Sequence, residues 1–74
     1  MADADLIRMA NQIAANFSAL AEDEAIAETA GHMKRFWEPR MREGLARLLA
    51  NEAAQSLSPV ARAAAERVAG QGRS

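Results

Sequence analysis

The stretch RFWEPRMR, Arg35 to Arg42, decides how this chain folds. It carries two of the three aromatic residues, Phe36 and Trp37, with Phe17 the third. Pro39 disfavours helical geometry at Glu38 and suits the first position of a new helix. The stretch therefore predicts a sharp corner between two helices, with Glu38 at the cap position. Neighbouring helical residues lie about 100° apart, so one stripe buries one of the two rings well and the other in part. Phe36 continues the line of Met33 and Thr29 and is the expected core residue. Trp37 continues Met33 and Ala30 and is expected at the edge of the core. Arg40 and Arg42 can stack on the indole or pair with Glu38 and Glu43. An exposed tryptophan among arginines is the composition of an interface hot spot.

Outward from that corner the chain reads as helix. Alanine is abundant, and glycine and proline are scarce in the first half. Leu6, Met9, Ala10, Ile13, Ala14, Phe17 and Leu20 recur at steps of three and four, one stripe of a first helix. Asp3 or Asp5 can cap it and face the positive end of its dipole. The acids of AEDEA, residues 21–25, predict a turn and the first turn of a second helix, with Asp23 as the better cap. The second stripe is Ile26, Thr29, Ala30, Met33, Phe36 and Trp37. Gly31 lies inside it; a glycine there either lets another helix approach closely or is simply tolerated.

Beyond Pro39 the third stripe is Met41, Leu45, Leu48 and Leu49, with Ala53 at its end. Gly44 weakens that helix near its start. Ser58 caps and Pro59 opens a fourth helix, and Gly70 follows its last periodic residue. Its stripe, Val60, Ala64 and Val68, is thin and mostly alanine, so the helix is expected to be loosely docked.

The predicted fold is an all-α single domain over 1–74: three main helices plus a weak C-terminal helix. The core spans about 4–53, the last helix about 58–69, and the tail 70–74 is expected to be disordered. The expected core is Leu6, Ile13, Phe17, Leu20, Ile26, Met33, Phe36, Leu45, Leu48 and Leu49.

A chain of 74 residues has a small core, and domains of this size usually need disulfides, metals or association. There is no cysteine and one histidine, so thiolate sites are excluded and a histidine-rich metal site is too. Association with a larger protein or with a second copy is the expected support. Nine basic and ten acidic residues give a net charge of −1, which provides no global drive towards nucleic acid or membrane. The charge is unevenly spread: the first 28 residues are acidic, and Lys34 to Arg47 is basic. That basic stretch with its two aromatics could bind phosphate and stack a base, but the acidic whole argues against nucleic acid. No apolar run approaches the ~20 residues of a membrane span. The start MADADLIR lacks the pattern of a secretory signal, so the expected location is the cytoplasm.

No catalytic motif is present. His32 has no serine or cysteine nucleophile arranged around it. Glu22 and Glu24 point apart on a helix, as i,i+2 residues do. There is no glycine-rich phosphate loop. Catalytic, cofactor-binding and metal-binding residues are expected to be none.

HMKRFWEPRMR, following LIRMANQIAANF, resembles the delta subunit of cytoplasmic NAD-dependent, molybdenum- or tungsten-containing formate dehydrogenases. The family pattern is a histidine, then Arg-Phe-Trp-Asp-Pro-Arg-Met. It is matched at His32, Arg35, Phe36, Trp37, Pro39, Arg40 and Met41, with Glu38 in place of aspartate. A looser match runs through Leu6, Met9, Asn11, Ile13, Ala14 and Phe17. The resemblance covers roughly residues 5–50. It implies a non-catalytic accessory subunit that supports assembly or stability of the complex. The molybdopterin-type metal centre, iron–sulfur clusters and flavin would then belong to larger subunits, consistent with the lack of thiolate ligands here. The expected partner surface is His32, Arg35, Trp37, Pro39, Arg40, Met41 and Arg42, docked most plausibly on the catalytic subunit, with a homodimer possible for the isolated chain. The competing reading is a free-standing helical adaptor or regulator acting through dimerisation or partner binding.

Overall fold

The computed structural model describes residues 2–71; Met1 and residues 72–74 lie outside it, as does most of the expected tail. Four α-helices follow in order: α1 (Asp3–Asn16), α2 (Glu22–Phe36), α3 (Pro39–Leu49) and α4 (Pro59–Gln71). A short 3₁₀ segment, Glu52–Ser56, sits between α3 and α4. No strand occurs among the described residues, so the all-α class is observed.

Helix starts follow the dipole more than side-chain caps. Ala2 and Ala21 occupy the cap positions of α1 and α2, and neither supplies a side-chain bond. Asp3 and Asp5, and Glu22, Asp23 and Glu24, stand in the first turns, where carboxylates favour the positive end of the helix. The expected caps at Asp3 or Asp5 and at Asp23 are corrected accordingly. Glu38 holds the cap position of α3 without a side-chain bond, and Pro39 opens the helix. At α4, Ser58 Oγ accepts from the Ala61 amide at 3.3 Å.

α1 ends earlier than its apolar stripe. The amides of Phe17, Ser18 and Leu20 donate to carbonyls three residues back, at 3.0–3.2 Å, which tightens the chain into a turn. Leu20 therefore leaves the stripe and is 41% exposed, not a core residue. Phe17, Ile26 and Leu49 are partly buried against the core; Leu6, Ile13, Met33, Leu45 and Leu48 lie within it.

The largest departure concerns α4. It packs on all three other helices, most extensively on α2, and belongs to the core that was expected to end near residue 53. Ala61, Ala64, Ala65 and Val68 are all buried. Alanine has no side-chain rotamer entropy to lose and lets helix axes come close, so a thin stripe suffices when the facing side is also small. Ala25 and Ala30 on α2 are buried as well.

Two polar or small residues tie the bundle together. Asn11, on α1, donates from Nδ2 to the Ser56 carbonyl at 3.0 Å and accepts from the Ser58 amide at 2.8 Å. It thereby pins the loop that launches α4. Gly44 lies where α3 meets α1: a Cβ there would stand 2.9 Å from Leu6 Cδ1.

Candidate functional site

The corner is built by two residues between helices. The Trp37 amide donates to Met33 O at 2.9 Å, completing the last turn of α2. Trp37 itself is extended, with φ −87° and ψ 131°. The amides of Met41 and Arg42 then donate to the Glu38 carbonyl at 2.9 and 3.1 Å, starting α3 at once.

This corner reverses the expected roles of its two rings. Trp37 is 5% exposed and Phe36 is 66% exposed. Ala25, Thr29, Ala30, Met33 and Trp37 are the buried positions, a helical stripe in which Trp37 keeps step. Phe36, one residue earlier and about 100° round the axis, falls outside it. Met33 can be followed at three or at four residues, by Phe36 or by Trp37, and choosing between them required knowing that α4 covers α2. Trp37 is thus unavailable as an exposed anchor, and Phe36 is available. Phe36 is not bare: its ring centroid lies 4.7 Å from that of His32, tilted by 45°.

The other expected partner residues separate by depth. Arg35, Pro39 and Arg40 are exposed; His32, Met41 and Arg42 are half-buried. Among the described residues the ion pairs are Arg8–Asp5 at 3.3 Å and Arg62–Glu66 at 3.8 Å, both solvent-exposed and worth little to stability. Lys34, Arg35, Arg40 and Arg42 form none, so the expected pairing of Arg40 and Arg42 with Glu38 and Glu43 is absent. Arg42 Nε is buried without a hydrogen-bond partner.

Two surface depressions flank the half-buried His32. One, of about 430 Å³, is lined by Arg8, Met9, Gln12, Ile13, His32 and Trp37. The other, of about 270 Å³, is lined by Phe17, Glu28, Gly31, His32, Arg35 and Phe36. Gly31 faces open space: nothing lies within 4 Å of where its Cβ would be. Sequence reasoning missed Phe36 as a surface feature and Phe17 as the wall of a depression, and left open whether Gly31 admits a close helix approach.

Thr29 is fully buried and its Oγ1 donates to the Ala25 carbonyl at 2.7 Å, so it is no nucleophile in waiting. Among the described residues no three His, Asp or Glu side chains are grouped to hold a metal ion. No described helix is long and apolar enough to cross a membrane.

These features define a small all-helical protein whose distinctive surface combines an exposed aromatic ring with unpaired basic residues. Residues 5–65 match the family described as "NADH-dependant formate dehydrogenase delta subunit FdsD", and the chain belongs to that family. No curated protein and no solved structure matches it.

Proposed function

We propose that this chain is a non-catalytic accessory subunit of an NAD-dependent formate dehydrogenase in the cytoplasm. It docks on the catalytic subunit and supports assembly or stability of the complex. In this reading the metal centre, iron–sulfur clusters and flavin are held by the larger subunits, since this chain has no thiolate to offer a cluster. Family membership supplies the complex. The observation that carries docking is Phe36, two-thirds exposed in a chain with only three aromatics. An aromatic ring among unpaired arginines is what the centre of a protein interface is made of.

The proposed contact set is the expected one with Phe36 in place of Trp37: His32, Arg35, Phe36, Pro39, Arg40, Met41 and Arg42. The test is co-expression of the larger subunits with and without this chain. Co-purification is expected, and complexes formed without it should show lower cofactor occupancy or a shorter thermal half-life. Equal occupancy and half-life in its absence would refute the accessory role.

A further inference from the structure

We infer that the second depression on α2, floored by Gly31, is a hole that receives a side chain from a helix of a larger formate dehydrogenase subunit. The inference rests on the docking reading above and specifies its seat. Glu28, Gly31, His32 and Arg35 are spaced i, i+3, i+4 and i+7, so they surround one point on the face of α2. Four residues so placed form the hole into which a facing helix inserts a side chain. All four line the same depression, and Phe17 and Phe36 wall it.

Gly31 contributes no side chain to fill the hole. A glycine inside a helix weakens it relative to alanine. At Gly44 the fold uses the missing Cβ, because Leu6 occupies that space; at Gly31 no side chain of the described residues does. The open volume above Gly31 is therefore directed outward, where a partner helix can approach closely. The walls are mixed: the Phe17, Phe36 and His32 rings supply apolar edges, the last two tilted against each other, but most of the exposed lining is polar, so the fitting occupant is a side chain with an apolar stem and a polar end.

Charge sets the flanks of that partner helix. Arg35 lines this hole without an ion pair, and Arg8 lines the neighbouring depression with only an exposed link to Asp5. Glu28 is the one acid among the lining residues of the two depressions. The complementary segment is a helix with such a side chain at its centre and carboxylates towards Arg35 and Arg8.

The test uses the whole complex, co-expressed and captured through a larger subunit, with Gly31→Leu, Arg35→Glu and, as a distant control, Glu66→Gln in this chain. Gly31→Leu should keep the helicity of the free chain and weaken its binding about 30-fold or more, the effect of losing a hot spot. Arg35→Glu should weaken it about 10-fold and flatten its salt dependence. Glu66→Gln should bind like the parent. A photo-crosslinking residue at Phe36 gives a readout that needs no folding defect to be excluded. Its adduct should fall on a helix of a larger subunit that carries Asp or Glu. Normal binding by a folded Gly31→Leu chain overturns the hole but leaves the docking reading intact. So does an adduct to a second copy of this chain, or to no subunit. Failure of the parent chain itself to bind the larger subunits overturns the docking reading, and this inference with it.

Discussion

Replacing each ring of the corner in turn separates fold from surface. A tryptophan buries roughly 150–250 Å², and Trp37 is 5% exposed. At about 25 cal/mol per Å² that area corresponds to roughly 4–6 kcal/mol, an upper figure because the unfolded chain is partly compact. Core Trp→Ala substitutions cost about 3–5 kcal/mol. A 74-residue chain at roughly 0.05–0.15 kcal/mol per residue has about 4–11 kcal/mol in total. Trp37→Ala should therefore remove between about a quarter and all of the stability. Phe36 is 66% exposed, so Phe36→Ala should change stability by no more than about 0.5 kcal/mol, including its i,i+4 contact with His32. The assay is urea denaturation followed by far-UV circular dichroism for the parent and both variants. Trp37 is the single tryptophan, so its fluorescence gives a second probe for the parent and Phe36→Ala. A larger loss for Phe36→Ala than for Trp37→Ala would refute the assignment of the two rings.

The two helical glycines should respond with opposite signs. Gly31→Ala should stabilise the free chain by up to ~1 kcal/mol through helix propensity. Gly44→Ala should destabilise it, because the new Cβ meets Leu6 in a buried contact and overpacking costs about 1–3 kcal/mol against that ~1 kcal/mol gain; thermal melts of both variants check the pair. Asn11→Ala removes two hydrogen bonds at about 0.5–1.5 kcal/mol each, so a loss of roughly 1–3 kcal/mol is expected, with hydrogen exchange accelerated first at the start of α4. A chain cut after Leu57 should lose far more helicity than α4 alone contributes, because α4 covers α2; a truncated chain that keeps α1–α3 folded would contradict its place in the core.

Features governed by local chemistry were legible in the sequence. The break at Pro39 and the Ser58–Pro59 start are set by ring geometry and a hydroxyl within three residues of its amide. The stripes of α1 and α3 are dense in leucine and isoleucine, so their buried faces stand out whatever they pack against. The α4 stripe is different. An alanine is worth little by its own area, and its value depends on how closely the facing helix can approach. That distance is a property of α2, not of α4. The same omission produced the inverted corner, since the buried arc of α2 could not be centred without α4. Asn11 was illegible for a related reason: its partners at Ser56 and Ser58 lie 45 and 47 residues away, and nothing in α1 marks it as more than a polar surface position.

The bundle rests on Trp37, on the small-residue contacts of α2 with α4, on Gly44 against Leu6, and on Asn11. None of these is Phe36, Gly31 or Arg35. The exposed ring cannot be explained by the needs of the core, because Trp37 already closes that end. The empty Cβ position at Gly31 cannot be explained by packing between the described elements, because none of their side chains comes within 4 Å of it. Both features weigh against the free chain, one by exposing apolar surface and the other by weakening a helix. They line the same depression. Two local penalties that converge on one surface, in a fold that needs neither, support the docking proposed there. His32 borders this depression and the one beside Trp37, so it is the point where the closed core and the open face meet.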